Sequence, residues 1–548
     1  MDPADQVPVD PEEEGGINSP FFFQKNMTIS TFYPLVIKTQ FNKYMRKIIA
    51  LLVVFSISFY TAKAQSGYFE DAYRFGKIVP SGSARISSIG GTQWSLGGDV
   101  SNLTGNPAGL GFFRTSEVSF TLGYSNWGVD TKYLNESNSY NTSNFSLPLL
   151  AYVGAKPKGV MESGTFKGGA WGFSIQRLAN FNTEFGYFSN SQGESSILDF
   201  YLDNSFGVPE SQIENYGITG LAYQTYLINP VTQDQNGNPI SNPNTYDSFV
   251  LGFPFQDENI RQEGSASQVS FGYGANFNHK VFVGGSLGIR SVSFASYKTY
   301  NEEFFDEPLI NSSLRENLFI DGIGVNLNLG VIYKPVENMN LGFVFQSPTW
   351  YTMSEEYEAS MFANYNNYYF EEEDITLGNE EAFSDIFISN YGLNTPLKIG
   401  TGATYFFGKN GFISADIDWV DYSMARISSK DFNPDPDNNV IRDFYSSTLN
   451  YRIGGEAWIN RLRVRGGYSF IGDPYQDSGD FDQSGQILSG GVGMKFNSIT
   501  VDISLVNHKY SSLYRSYQVF DQNGFNYGPV TEVNNSVTSG FITLGFSF

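Results

Sequence analysis

The stretch Phe541-Ile-Thr-Leu-Gly-Phe-Ser-Phe548 decides the fold of this chain. Its large apolar residues share one parity, at Ile542, Leu544, Phe546 and Phe548, and its small or polar residues share the other. This alternation predicts a β-strand with one apolar and one polar face. Such a strand, ending the chain on an aromatic residue, is typical of the closing strand of a bacterial outer-membrane β-barrel.

The composition favours a membrane barrel over a soluble acidic protein. Aromatic residues make up 16% of the 548 residues, and charged residues also make up only 16%, although the net charge is −23. Soluble domains carry about 25% charged residues. Aromatic girdles and acidic outer loops would account for this balance. The negative charge argues against a nucleic-acid partner, because phosphate binding requires clustered Lys and Arg.

The chain offers little for catalysis or metal binding. It contains no Cys, which excludes thiol chemistry, zinc–thiolate sites and iron–sulfur clusters. The two histidines, His279 and His508, lie near the ends of segments and are interpreted as surface or turn residues. No Ser-His-Asp arrangement and no P-loop is apparent. We therefore expect no catalytic residues, no metal site and no cofactor, and a protein that is not an enzyme.

Residues 45–64 have the three parts of a secretory signal peptide: basic Met45-Arg46-Lys47, an apolar stretch from Ile48, and Ala62-Lys63-Ala64 as the cleavage site. The apolar stretch is short for a spanning helix. Because signal peptides are normally N-terminal, residues 1–44 are interpreted as a non-native extension or the result of a mis-set start. The alternative is an unusual natural extension. The mature chain is expected to begin near Gln65.

From about residue 117 the chain reads as short alternating runs, the longest of which covers residues 323–333. Short turns alternate with long polar loops, which we place at residues 188–264, 300–318, 351–394, 428–444, 472–485 and 512–536. This pattern predicts an all-β fold: a transmembrane antiparallel β-barrel of about 14 strands over residues 117–548, in the outer membrane of a Gram-negative bacterium. The last strand should pair with the strand near Val118–Tyr124. A soluble propeller is the alternative, but no blade-length repeat is visible.

Strand parity also predicts which charged residues face the lumen. If Leu397 and Ile399 face lipid, Lys398 faces inward, as do Arg290, Asp416, Asp418, Arg452, Glu456, Arg463, Arg465 and Asp502. Charges on the lipid face would cost several kcal/mol near the midplane. The inward charges are either structural salt bridges or, at Lys398, Arg452, Arg463 and Arg465, contacts for an anionic ligand head group.

Residues 65–116 do not alternate and contain few large apolar side chains, so they cannot fold alone. Inside a barrel they would form a plug that uses the lumen wall as its core. Their run Gly97-Gly-Asp-Val-Ser-Asn-Leu-Thr-Gly-Asn-Pro-Ala-Gly-Leu110 resembles the hatch of the FadL/OmpP1/TodX family of outer-membrane hydrophobic-compound transporters. Further similarity lies at Gln346-Ser347-Pro348, at Asp416-x-Asp418-Trp419 and in Arg463–Phe470, so that it covers essentially all of the mature chain.

The resemblance implies a 14-stranded barrel with an N-terminal hatch, which passes a hydrophobic molecule from the outer loops to an internal pocket and releases it laterally into the membrane. Hatch or gating residues would be Asn106, Pro107, Ala108, Gly97, Gly98 and Asp99. Hydrophobic ligand contacts would be Trp94, Leu96, Phe112 and Phe113. Expected partners are a hydrophobic small molecule, lipid or detergent, outer-membrane lipids, and the barrel assembly machinery during biogenesis; the protein is expected to be a monomer.

Two other functions remain open. Some relatives of the family serve in protein secretion or surface attachment, where the barrel is a platform or shuttle, and large external loops suit that role. Others are labelled haemin receptors, but with two His residues, neither in the hatch, axial ligation would need Met or Tyr. The acidic loops would repel free carboxylates, which argues against long-chain fatty acids as the ligand.

Overall fold

The structure is a computed structural model that describes residues 67–77, 79–159, 162–250, 252–305, 307–371, 373–476, 481–521 and 526–548. The predicted signal peptide at 45–64 and the extension at 1–44 lie outside the described residues. The described chain begins with an N-terminal segment, residues 67–116, and continues into a closed antiparallel β-barrel. The predicted all-β fold is confirmed.

Fourteen strands form the wall, and four of them are interrupted and then continue. They are β1 Glu117–Tyr133, β2 Glu136–Pro157, β3 Phe166–Asn180 and Thr183–Phe188, β4 Phe255–Phe277, β5 Val281–Glu303, β6 Leu309–Val336, β7 Met339–Gln346 and Trp350–Phe370, β8 Ile375–Phe383, Phe387–Asn394 and Lys398–Phe406, β9 Gly411–Asp421 and Arg426–Ser429, β10 Ser447–Ile459, β11 Leu462–Ile471, β12 Gly485–Phe496, β13 Ile499–Tyr514 and β14 Thr531–Ser547.

The helices lie in the N-terminal segment and in the loops. The N-terminal segment holds α1 Tyr68–Arg74, α2 Ala84–Ser88 and two 3₁₀ turns, Val100–Leu103 and Pro107–Phe112. The loops hold α3 Ile197–Ser205, α4 Glu210–Ile213, α5 Gly217–Gln224, a 3₁₀ turn Tyr422–Met424, α6 Asp435–Phe444, and a small sheet of Asn229–Pro230 with Tyr246–Asp247. Within the described residues, no helix has the length and apolar character needed to cross a membrane.

The sheet closes where the sequence predicts, between β1 and β14. Val118 pairs with Phe546, and the register runs without a break to Lys132 opposite Glu532. Beyond the strand ends, Ser116 and Phe548 exchange both backbone hydrogen bonds. Closure matters because an open edge would leave backbone N–H and C=O groups without partners inside a membrane.

The outer wall carries a continuous belt of apolar side chains, to which every strand contributes. Exposed examples in strand order are Leu122, Leu150, Trp171, Phe271, Leu287, Leu327, Phe343, Ile399, Ile417, Ile453, Val464, Val492, Ile503 and Ile542. An exposed apolar band of this extent matches a lipid-facing surface. The predicted inward charges lie on the opposite face, where all except the half-buried Arg463 are buried.

The prediction of loops at residues 300–318 and 351–394 is wrong, because most of these residues lie in strands. Strands β5 and β6 stay paired as far as Glu303 and Asn311, and β7 pairs with β8 as far as Phe370 and Ile375. These strands extend above the apolar belt, where their outer face meets water. Polar residues therefore occupy both faces, and the alternation that marks a lipid-facing strand is lost.

The long outer loop between β3 and β4, described over residues 189–250 and 252–254, folds over the end of the barrel instead of remaining irregular. Tyr201, Leu221 and Ile228 from its helical part are almost fully buried and form one apolar cluster with Met361 and Tyr365 of β7. The loop is thus anchored to the strand extensions by burial of apolar surface.

Pairing within the wall is incomplete between β2 and β3. The two strands pair only between Leu149–Pro157 and Gly168–Gln176. Farther out, residues 142–148 of β2 pair only with β1, and residues 177–182 of β3 have no described partner on β2. We call this opening the β2–β3 gap. The gap ends near the outer rim, where Thr131 Oγ1 of β1 donates to Gly186 O of β3 at 2.6 Å.

Both edges of the β2–β3 gap carry a register shift. On β2, two residues, Leu147 and Pro148, lie opposite the single β1 residue between Thr121 and Gly123. Pro148 lacks a backbone donor. On β3 the extra residue is Leu178, between Arg177 and Ala179. Each bulge bends its strand away from regular pairing.

We predict that Leu327→Arg, in the middle of the outward face of β6, lowers the free energy of unfolding in lipid vesicles by about 2–4 kcal/mol, because the charge would lie in hydrocarbon. Ser313→Arg, at the same parity on the same strand but above the belt, should cost much less. Equal losses for the two variants, measured by denaturant unfolding, would contradict the placement of the belt.

Candidate functional site

Three of the four short elements in the N-terminal segment begin with side-chain caps. Ser83 Oγ accepts from Ile86 N at the start of α2, and Asp99 accepts from Ser101 N at the first 3₁₀ turn. Asn106 caps the second turn, in which Pro107 occupies the first position. Local polar groups therefore satisfy the free amides of each turn, as the Ser-, Asn- and Gly-rich sequence requires.

Asn106-Pro107-Ala108 lies directly against the barrel wall. Asn106 Oδ1 accepts from Ala108 N at 3.1 Å, and its Nδ2 donates to Trp94 O at 2.5 Å. Opposite lie Gly284 of β5 and Gly330 of β6, where any Cβ would collide with Pro107 or Asn106. Two wall glycines thus let the turn lie directly on the sheet.

The predicted residues Gly97, Gly98 and Asp99 form the bend before the first 3₁₀ turn. A Cβ on Gly97 would overlap the Phe112 ring, and Gly98 has φ +74°, which favours glycine. The Asp99 carboxylate accepts from Ser83 Oγ at 3.0 Å. These residues fix the shape of the segment.

The four predicted hydrophobic contacts are packed inside the segment or against the wall. Trp94, Leu96 and Phe113 are buried, and the half-buried Phe112 stacks on Phe282 of β5 with ring centres 3.8 Å apart. Trp94 borders a small polar cavity of about 40 Å³. Leu96, Phe112 and Phe113 border neither this cavity nor the larger one described below.

Two ion networks hold the segment to the lumen wall. Asp418 contacts Arg452 at 2.5 Å and Lys398 at 3.8 Å, and Trp94 Nε1 donates to Asp418 at 3.3 Å. Next to them, Asp416 accepts the backbone amides of residues 93 and 94, at 2.7 and 3.0 Å.

In the second network, Arg465 bridges Glu456 at 2.5 Å and Asp502 at 2.7 Å. Arg85 of the N-terminal segment lies 3.6 Å from the same Glu456. Lys398, Arg452 and Arg465 thus have carboxylate partners, whereas the half-buried Arg463 belongs to no ion pair within the described residues.

A larger cavity of about 710 Å³ lies toward the outer end of the lumen. Thirteen of its lining residues are aromatic, among them Tyr73, Trp127, Phe181, Phe294, Tyr357 and Tyr510, and we call it the aromatic cavity. Charged residues such as Arg74, Lys298 and Glu316 also line it. It also reaches both edges of the β2–β3 gap, at Ser146 and Pro148 and at Arg177 to Phe181. The sequence reasoning missed this site, although inward parity of Trp127 and Phe294 on their strands was a usable signal.

Helix α1 lies against this cavity and is held by the wall and by α6. The Tyr68 ring stacks on Phe432 with centres 4.1 Å apart, and Phe69 N donates to Asp437 Oδ1 at 3.3 Å. Tyr391 Oη donates to the Asp71 carboxylate at 2.5 Å. Burial raises the pKa of Asp71 to about 6, although the neighbouring Arg74 guanidinium opposes the shift.

The described residues contain no group of three or more metal-ligating side chains. Gly284–Gly288 matches a Gly-x-Ser-x-Gly pattern, but it lies within β5 and not at a strand-to-helix turn. Its Ser286 Oγ donates to Leu103 O at 2.8 Å and so helps to hold the N-terminal segment.

Two solved structures are similar in fold to this barrel. A FadL homologue from Pseudomonas aeruginosa and the toluene transporter TodX from P. putida each match with a TM-score of 0.50, 13% sequence identity, 86% of this chain covered and 99% of theirs. At this identity the likeness establishes the fold, and the expected FadL-type architecture is confirmed at that level. No family model and no curated protein matches the sequence.

We predict that Asp416→Ala frees the amides of Gln93 and Trp94, because their acceptor is a buried carboxylate of the wall. Hydrogen bonds to charged groups contribute about 1.5–3 kcal/mol each, so amide exchange at these positions should accelerate by about tenfold or more. Asp321→Ala, the same change on the outer face of β6, is the control. Unchanged exchange in Asp416→Ala would show that this contact does not hold the segment.

Proposed function

We propose that this barrel, which has the fold of FadL- and TodX-type structures, lies in the outer membrane and takes up hydrophobic small molecules without an energy source of its own. The molecule enters the aromatic cavity from the outer side and leaves sideways through the β2–β3 gap into the membrane. The observation that carries the proposal is that one cavity borders both edges of an unpaired stretch of the wall.

The size and lining of the cavity suit an apolar ligand. Its volume of about 710 Å³ lies within the range of about 300–1,000 Å³ found for small-molecule sites. Aromatic rings supply broad apolar contact, while interspersed polar groups can orient a ligand. An apolar solute gains free energy by leaving water for such a site.

The surroundings of the gap suit release into lipid. Phe145 and Leu147 of β2 are 83% and 52% exposed on the outer wall, and the exposed Ile175 of β3 lies just before the unpaired stretch. A solute that passes between these side chains would move from one apolar environment to another without crossing water. Partitioning into the bilayer then supplies the driving force.

The N-terminal segment would act as the hatch, because it occupies the route along the barrel axis. Residues 79–81 border both the aromatic cavity and the small polar cavity, so they form the partition between them. The partition is in turn tied to the wall, since Gln176 Nε2 of β3 donates to Ser81 Oγ at 3.0 Å. Movement of this partition would change the shape of the cavity next to the gap.

We predict that the purified barrel in nanodiscs binds the apolar fluorophore N-phenyl-1-naphthylamine, and that Ser296→Trp weakens binding by about tenfold or more. Ser296 is buried on the inner face of β5 and lines the cavity, so an indole there would fill ligand space. Ser293→Trp, on the outer face of the same strand, should bind as the parent does. Absence of fluorophore binding, with a secreted protein co-purifying instead, would favour the platform role.

A second variant separates binding from release. Ser146→Trp places a large ring at the inner edge of the β2–β3 gap, and we expect it to slow uptake of radiolabelled toluene into cells by about fivefold or more while fluorophore binding persists. Ser143→Trp, on the outer face of the same strand, is the matched control. Uptake that is equally fast in both variants would place the exit elsewhere.

A further inference from the structure

One corner of the aromatic cavity contains two polar side chains that form no ion pair and no hydrogen bond among the described residues, Lys77 and His508. They flank the Tyr510 ring of β13: Lys77 Nζ lies 4.4 Å from its centre, and the His508 ring centre lies 4.8 Å from it. All three side chains line the cavity. We call Lys77 and His508 the polar corner.

Lys77 differs from the other cation of the N-terminal segment at this cavity. Arg74 is paired with Glu70 and Asp71, whereas no carboxylate of the described residues lies within 4.0 Å of Lys77 Nζ. Its neighbours are the rings of Tyr73 and Tyr510. Burial lowers the pKa of Lys77 from its usual value, as expected for an ammonium group without an acidic partner.

His508 is 8% exposed, and its buried Nε2 has no hydrogen-bond partner among the described residues. Such an unmatched polar atom costs free energy unless a ligand or water supplies a partner. The wall beside Nε2 is formed by Gly485, and a Cβ there would lie 3.1 Å from this nitrogen. A methyl group at Gly485 would therefore crowd this buried nitrogen.

We propose that the polar corner is a head-group subsite for the hydroxyl of a hydrophobic alcohol or phenol. Lys77 Nζ donates a hydrogen bond to the hydroxyl oxygen, and the hydroxyl donates a hydrogen bond to Nε2 of the neutral imidazole. The apolar part of the ligand lies on the aromatic lining. This inference rests on the proposed function and names the chemistry of the ligand that it takes up.

A hydroxyl fits this corner better than a carboxylate does. In its neutral form the imidazole of His508 offers an acceptor as well as a donor nitrogen. A carboxylate cannot donate to that acceptor.

The test compares three ligands of the same shape: toluene, 4-methylphenol and 4-methylbenzoate. Each displaces N-phenyl-1-naphthylamine from the full-length barrel in nanodiscs at neutral pH. We expect 4-methylphenol to displace the fluorophore at a concentration about tenfold lower than toluene, and 4-methylbenzoate to be the weakest of the three. Tighter binding of 4-methylbenzoate than of 4-methylphenol would overturn the proposal.

The variants Lys77→Met and His508→Phe should each reduce the preference for 4-methylphenol over toluene to near one. Gly485→Ala should act in the same direction by covering Nε2, although it alters neither polar side chain. Arg515→Met removes a different cavity cation and should retain the preference. A preference that survives in all three corner variants, with folding checked by heat-modifiable gel migration, would assign the hydroxyl to another site.

The outcomes separate this inference from the proposed function. If neither toluene nor the fluorophore binds, the cavity is not a ligand site and the proposed uptake fails. If both bind but the hydroxyl gives no advantage, uptake of apolar molecules stands and the polar corner alone is refuted.

Discussion

The need to pair every backbone polar group inside a membrane governs this structure. Strands β1 and β14 meet along an unbroken register, so the sheet has no free edge at the closure. Once the sheet is closed, side-chain parity decides the rest. Apolar residues such as Leu327 face outward, and charged residues such as Lys398 and Arg465 face the lumen. There they require partners, and the wall carboxylates and the N-terminal segment supply them.

The same constraint gives the β2–β3 gap its significance. Here the wall departs from full pairing, with a bulge on each edge that involves Pro148 on β2 and Leu178 on β3. Unpaired strand edges at membrane depth are tolerated only where protein or a cavity covers them. The aromatic cavity lies directly behind, so the irregular wall, the cavity and the N-terminal segment form one functional unit.

The N-terminal segment and the wall depend on each other. The segment has too few large apolar residues to form a core, and its turns lie directly on the sheet at wall glycines such as Gly284 and Gly330. In return, Asp416 holds the amides of residues 93 and 94, and Glu456 lies close to Arg85. The polar partners that neutralise the lumen charges thereby also fix the inner boundary of the cavity.

The sequence by itself determined the strand number, the closing pair and the outward and inward faces, because alternation with a period of two is visible in the chain. Only the tertiary structure decided the length of the outer strands, since above the membrane both faces are polar and the pattern fades. Only the tertiary structure also brought Lys77 beside His508, and Ser146 and Arg177 into the lining of one cavity. These neighbours are separated by hundreds or tens of residues, and their meeting depends on closure and bulges that local patterns do not encode.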